Sequence, residues 1–183
     1  MWRAYGWALT LFSLLSGLAP NQAGRAHAMT QILPEATIDA DQQTVLELTS
    51  TFDQAQEAIR SRNLDGLMAL YSDQYAYHGL KKSDVRAIWK ELLAHYDLIS
   101  NVHTFSAIRS GRPDGTPLVE ITCTGALWAT NKNNKARMPI DSWHEEVHRL
   151  VKEKGQWRII GSGSDGSGSR RPPMFGTAPH PLF

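Results

Sequence analysis

The feature that most constrains the fold is a β-hairpin pattern late in the chain, Trp143–Ile160 (W-H-E-E-V-H-R-L-V-K-E-K-G-Q-W-R-I-I). Two alternating runs that contain β-branched residues flank Lys154-Gly155, which predicts two antiparallel strands joined by a two-residue loop. The cross-strand pairs that follow are Glu153 with Gln156, Lys152 with Trp157, Leu150 with Ile159, and His148 with Gly161.

One face of this hairpin is predicted to be apolar at the turn end and polar at the other end. Because side chains alternate along a strand, this face carries His144, Glu146, His148, Leu150, Trp157 and Ile159. It can therefore form part of the floor of a ligand pocket. A three-residue loop or a β-bulge would instead turn Trp143, Glu145 and Val147 inward.

The sharpest candidate site is His144-x-Glu146-x-His148, whose side chains are spaced about 7 Å apart on one strand face. Histidine titrates near neutral pH and a nearby carboxylate favours its charged form, so the trio can perform acid/base catalysis. It can also hold Zn²⁺, although a metal site normally needs at least three converging ligands with supporting neighbours. The more frequent interpretation is a polar strand end that faces water or a partner subunit. No metal site and no cofactor are predicted.

Helices are predicted upstream of the hairpin. Asp39–Gln42 resembles a capping box, and apolar residues then recur at steps of three and four: Val45, Leu48, Phe52, Ala55 and Ile59. A second helix fits Leu64–Tyr71, and Ser83 can cap a third helix with Val85, Trp89, Leu92 and Tyr96 on its buried stripe.

Three strands are predicted between and after these helices. Gln74–Gly79 (Q-Y-A-Y-H-G) is a short one, in which Tyr77 can donate to a developing oxyanion and His78 lies on the other face or at the strand end. A tyrosine in such a position is more often a core residue. Val102–Arg109 and Leu118–Thr130 are the next two strands. His103 is interpreted as an ordinary surface histidine.

Composition places the chain among single-domain globular proteins. It has 183 residues, 42% of them hydrophobic, which is enough for one core. Because 19 basic residues are balanced by 18 acidic ones, with no long basic run, nucleic-acid binding is disfavoured. The single cysteine, Cys123, is interpreted as a small buried hydrophobe.

The two ends of the chain differ from the predicted domain, 41–163. Residues 1–28 combine Arg3, a short apolar run and Ala26-His27-Ala28, which is typical of a signal peptide cleaved after Ala28. The run is shorter than the roughly 20 residues that cross a bilayer, so we expect a periplasmic or secreted protein without a stable membrane anchor after processing. Residues 29–40 are interpreted as a lead-in, and the Gly/Ser/Pro-rich residues 164–183 as a disordered tail.

The predicted order is helix, helix, strand, helix and then four strands, which favours an α+β domain. Together with Leu70-Tyr71-x4-Ala76-Tyr77-His78-Gly79 and Gly155-x-Trp157-Arg158-Ile159, this order resembles the nuclear transport factor 2-like superfamily, in particular its SnoaL-like bacterial members, over about 41–164. The resemblance implies a cone-shaped, curved antiparallel sheet wrapped around three N-terminal helices, a cystatin-like half-barrel. It also implies a pocket at the wide end.

The superfamily includes polyketide cyclases, ketosteroid isomerase, scytalone dehydratase and non-catalytic adaptors, so the resemblance indicates where a site lies and not its reaction. We expect a protein that binds a small hydrophobic or amphipathic molecule between sheet and helices. The expected lining residues are Tyr75, Trp89, Trp128, Trp143 and Trp157; Trp128 and Trp143 also suit an oligomer interface. One alternative is a cofactor-independent lyase, isomerase or cyclase that uses His78, His144, Glu146 or His148 as acid/base and Tyr77 as donor. The other is a module that forms a homodimer through the outer face of the sheet.

Overall fold

The computed structural model describes residues 30–77, 79–111 and 117–162. The predicted signal peptide, His78 and the predicted tail lie outside the described residues. The elements in chain order are β1 (Thr30–Asp39), α1 (Gln42–Arg60), α2 (Leu64–Met68), β2 (Ala76–Tyr77), β3 (Leu80–Lys81), α3 (Lys82–His95), β4 (Tyr96–Gly111), β5 (Leu118–Asn131), β6 (Arg137–Glu153) and β7 (Gln156–Ser162).

Five strands form one sheet in the order β1-β4-β5-β6-β7, and β2 and β3 form a separate pair. Strands β4 to β7 are antiparallel neighbours, as predicted. The apolar side chains of α1, α2 and α3 share one buried cluster with those of the sheet. The predicted α+β class is therefore confirmed.

Strand β1 was not predicted, because its segment has no regular alternation. It pairs in parallel with β4, from Thr30 opposite His103 to Asp39 opposite Arg109, and the register shifts between Ile32 and Thr37. As an edge strand it leaves most of its side chains exposed, so it needs no alternating pattern, and its irregular stretch accommodates Pro34. The sheet is consequently mixed rather than wholly antiparallel.

The helices lie close to their predicted positions, and α2 begins at Leu64 as predicted, but the caps of α1 and α3 differ. The buried stripe of α1 is confirmed, while its cap is Asp41 and not Asp39: the Thr44 N–H donates to Asp41 Oδ1 at 2.9 Å. Helix α3 begins at Lys82 instead of after Ser83, and the Asp84 carboxylate accepts from the Lys81 N–H at 2.7 Å. In each helix the observed N-cap therefore lies two residues from the predicted one, later in α1 and earlier in α3.

The predicted hairpin is confirmed at its turn end. Glu153 pairs with Gln156 and Leu150 with Ile159, but the register then shifts, so that His148 lies opposite Ser162 and not opposite Gly161. Gly161 has φ +151°, and a Cβ there would collide with the Ala76 carbonyl oxygen. The shift therefore occurs where β7 and β2 approach too closely for any side chain.

A second bulge, within β6, decides which side chains face the helices. Cys123 lies opposite Glu146, and Gly125 lies opposite Trp143, so the register shifts by one residue between these two pairs. Glu145 takes the positive φ of 51° that this geometry requires. As a result Trp143 and Glu146 point to the same face, although three positions separate them.

Candidate active site

A cluster of polar side chains lies on the sheet face that packs against the helices. Strand β4 contributes Asn101 and His103, β5 contributes Cys123, and β6 contributes Trp143, Glu146 and His148; Tyr77 reaches the cluster from β2. Asn101, His103, Cys123 and His148 are each at most 1% exposed. Because burial of polar groups is costly unless they are paired, their partners define what the cluster can do.

The bulge at Glu145 separates the trio predicted from the sequence. His148 is buried, Glu146 is half-buried, and His144 is exposed on the outer side, where its Nδ1 lies 3.3 Å from Thr124 Oγ1. The prediction that all three share one face is therefore wrong for His144. Trp143 takes the inward position that a bulge was expected to give it.

Tyr77 and Glu146 form the closest polar contact of the site. The Tyr77 hydroxyl donates to Glu146 Oε1 at 2.6 Å, a distance typical of a hydrogen bond to a carboxylate. Tyr77 is only 6% exposed, so the contact is largely shielded from water. It brings two predicted site residues together across 69 positions of sequence.

His103, interpreted from the sequence as a surface residue, is instead fully buried. The Asn101 amide lies 2.9 Å from its Nε2 and can donate to it, which leaves the Nδ1 hydrogen directed at Cys123 Sγ, 3.6 Å away. Burial, and secondarily His148, lower the pKa of His103 to about 3. The sequence offered one signal for this burial: Phe105 lies two positions after His103 and therefore on the same strand face. Phe105 is fully buried, whereas Val102 on the other face is 42% exposed. Judging the strand by its bulkiest side chain would have placed His103 inside.

Cys123 is held as a neutral thiol. Its sulfur also accepts a hydrogen bond from Trp143 Nε1 at 3.3 Å, and burial raises its pKa to about 12. Since the thiolate is the reactive form, this cysteine is not a nucleophile at neutral pH. The sequence interpretation of Cys123 as a buried residue without a catalytic role agrees with this geometry.

His148 differs from its neighbours in having an unsatisfied ring nitrogen. The side chain is 1% exposed, and its Nε2 has no hydrogen-bond partner among the described residues. Burial lowers its pKa to about 4, so the ring is neutral at pH 7. A neutral imidazole nitrogen can accept or donate a hydrogen bond according to its tautomer.

The five aromatic residues expected to line a pocket fall into several places. Tyr75 and Trp89 are buried in the core beneath the helices, and Trp143 joins the cluster, where its ring centroid lies 5.2 Å from that of His103. Trp157 is buried at the turn end of the hairpin. Trp128 is half-buried and lies between the buried Leu127 and Ala129, so it faces away from the inner pocket that it was expected to line. On that outer face the Arg137 guanidinium is 5.0 Å from its ring centroid. The homodimer through this outer face stays a prediction.

Two kinds of site are absent from the described part of the chain. Within residues 30–77, 79–111 and 117–162, no three His, Cys, Asp or Glu side chains converge as metal ligands would. Over the same ranges, no helix has the length and apolar character needed to cross a membrane.

Comparison with known proteins identifies the fold. No protein-family model and no curated protein matches the sequence. A conserved protein from Planctomyces limnophilus DSM 3776 is similar in structure with a TM-score of 0.57 and 16% identity, covering 67% of this chain and 94% of that one. Aln2 from a Streptomyces species is similar with a TM-score of 0.51 and 13% identity, covering 68% of this chain and 91% of that one. A putative aromatic ring hydroxylase from Novosphingobium aromaticivorans is similar with a TM-score of 0.50 and 8% identity, covering 68% of this chain and 89% of that one.

These likenesses, with the order of helices and strands, confirm the fold that the sequence resemblance implied, the nuclear transport factor 2-like fold. At such low identities the likeness establishes the fold alone.

Proposed function

We propose that the protein binds a small, mostly apolar molecule on the helix-facing side of the sheet, with the polar group of that molecule against His148, Glu146 and Tyr77. The observation that carries the proposal is the buried Nε2 of His148, which has no hydrogen-bond partner among the described residues. Leaving such an atom unsatisfied costs about 1–3 kcal/mol. A ligand hydroxyl or carbonyl that bonds to it recovers part of this cost.

The surroundings of the cluster support an apolar ligand body. Phe52 packs edge-on against both His103 and Phe105, with ring centroids 5.0 Å apart in each case, and Ile121 and Leu150 are fully buried on neighbouring strands. Small-molecule sites commonly combine mostly apolar walls with a few convergent polar groups. The cluster has this composition.

A cofactor-independent lyase, isomerase or cyclase is the second candidate, and one observation favours it. A neutral His148 can accept a proton at pH 7, and the Tyr77–Glu146 hydrogen bond lies on the same inner face. A base and a hydroxyl donor on one face are two of the groups that proton abstraction next to a carbonyl uses. His144 is exposed and does not contribute to this arrangement.

Ligand binding is testable with 2-naphthol, which carries one hydroxyl on an aromatic body. Its concentration-dependent effect on the melting temperature would be measured by circular dichroism, for the unaltered chain and for His148→Phe. The matched control is His95→Gln, which alters an exposed histidine of α3. We expect the probe to raise the melting temperature of the unaltered chain. Its affinity should fall at least about tenfold in His148→Phe and should be unchanged in the control.

Two outcomes would contradict the proposal. One is that neither 2-naphthol nor any small molecule extracted from the purified protein binds it. The other is equal binding by His148→Phe, provided that this variant melts cooperatively without ligand. For the catalytic candidate, Tyr77→Phe and Glu146→Gln should each abolish turnover of any substrate found while binding persists.

Export is part of the same proposal, supported by the Arg3, apolar-run and Ala26-His27-Ala28 pattern. N-terminal sequencing of protein secreted by its native host should begin at Met29. An intact Met1 on cytoplasmic protein would contradict export.

A further inference from the structure

A groove of about 400 Å³ lies between α1, α2 and the β6–β7 turn, at the end of the hairpin remote from His148. Its volume is within the range of about 300–1,000 Å³ that is common for small-molecule sites. The groove is separate from the proposed interior site, because none of the described residues that line it belongs to the polar cluster around His148.

Small residues make up part of the lining of the groove. Ala55, Gly66 and Ala69 line it from the helices, and Gly155 lines it from the turn. Ala69 is exposed, so a larger side chain there would extend into the groove without displacing core atoms. This position therefore offers a way to fill the groove.

One wall is a polar stripe along α1. Gln43, Glu47, Ser50 and Gln54 recur at helical spacing and all line the groove. The Gln43 amide donates to Glu47 Oε1 at 3.1 Å, and the Gln54 amide donates to Ser50 Oγ at 3.0 Å. Each carboxamide has two N–H groups and one oxygen, so each bond leaves both a donor and an acceptor for a ligand.

The groove is electrically neutral. Glu47 is the one charged residue among the described residues that line it, and its Oε2 accepts from Lys152 Nζ at 2.7 Å and from Trp157 Nε1 at 2.9 Å. The hydrogen bond from Lys152 is the main reason that the pKa of Glu47 is lowered, and the ammonium balances the carboxylate charge. A charged ligand would therefore find no unpaired opposite charge on this lining.

We propose that this groove binds a neutral, hydroxyl-rich molecule of the size of a mono- or disaccharide. Each sugar hydroxyl both donates and accepts, which matches the carboxamides of Gln43 and Gln54 and the hydroxyls of Ser50 and Thr51. The apolar C–H face of a sugar ring has a counterpart in Leu46, which is 58% exposed at the rim.

Titration of the ¹⁵N-labelled protein with maltose and with cellobiose tests the proposal through the indole N–H signal of Trp157. Glucuronate serves as a charged comparison. At least one of the two neutral sugars should shift this signal saturably. Ala69→Tyr, which fills the groove, and Gln54→Ala should each lower the affinity at least about tenfold.

The matched control is Gln74→Ala, which removes an exposed carboxamide outside the groove and should bind as the unaltered chain does. His148→Phe should also bind the sugar normally, which separates this site from the interior one. No shift with either neutral sugar, tighter binding of glucuronate, or unchanged affinity in both groove variants would overturn the proposal.

Discussion

Acidification from pH 7.5 to pH 5 should destabilise this protein through two buried histidines. The folded-state pKa values of His103 and His148 are lowered from 6.5 to about 3 and about 4, both mainly by burial. Below pH 6.5 the unfolded chain therefore binds protons that the folded chain does not. The contribution of the two neutral histidines to the free energy of unfolding is complete above pH 6.5 and is lost as the pH falls toward their folded-state pKa values.

The size of the effect follows from these shifts. At pH 5, which is 1.5 pH units below the ordinary histidine pKa, each neutral buried histidine costs about 2 kcal/mol at about 1.36 kcal/mol per unit, and the two together cost about 4 kcal/mol. This is a large part of the roughly 5–15 kcal/mol that stabilises a typical domain. The carboxylates with lowered pKa values contribute mainly below pH 4.5 and so outside this window; they are Asp41, Glu47, Asp73 and Asp97.

Urea denaturation at pH 7.5, 6.5, 5.5 and 5, followed by circular dichroism, measures the free energy of unfolding across this window. The unaltered chain should lose about 4 kcal/mol, and His148→Phe should lose about half as much whatever its absolute stability. His95→Gln should keep the full pH dependence, since that histidine is exposed. A free energy that stays constant from pH 7.5 to pH 5 would refute the burial of the two rings.

Three further predictions concern the same structure. Gly125→Ala should lower the free energy of unfolding by about 3 kcal/mol in urea denaturation, because its Cβ would overlap the Trp143 ring and the Val102 carbonyl oxygen. A loss below about 0.5 kcal/mol would contradict this packing. The Cys123 thiol should not react with a disulfide reagent until the protein unfolds, and rapid reaction of the native chain would show that it is accessible. Asp41→Ala should lower the urea midpoint in the same denaturation assay through loss of the α1 cap, and an unchanged midpoint would argue against that cap.

The turn end of the hairpin could be predicted because a two-residue loop fixes the register over the first few pairs. Beyond Leu150 the predicted cross-strand pairs are wrong, and before Glu146 the predicted faces are wrong as well, since each bulge adds one residue to one strand and nothing in the local composition marks it. Glu145 occupies a positive φ that glycine would normally signal. The sequence therefore placed His144 inside, where the structure has Trp143.

Other differences have separate physical causes. Strand β1 escaped prediction because an edge strand that pairs in parallel, with most side chains exposed, needs neither alternation nor a turn signal. His103 is assigned to the surface when its residue type alone is considered and the alternation with the buried Phe105 is not applied. Its burial depends on Asn101, two residues before it in β4, and on Cys123, which the fold brings within reach of the ring.

One residue can be deleted at one point of β6 without turning the site side chains of the strand to its other face. Strands ordinarily tolerate no gain or loss of a single residue, because such a change turns every side chain beyond it to the other face. Between Trp143 and Glu146 the strand holds one residue more than regular pairing requires, so deleting Glu145 would leave Trp143 and His148 on the inner face. Deleting Val147 and restoring regular pairing would also leave these two inside, but it would turn Glu146 to the outer face. Among natural relatives, gaps in this strand should therefore fall at the position of Glu145.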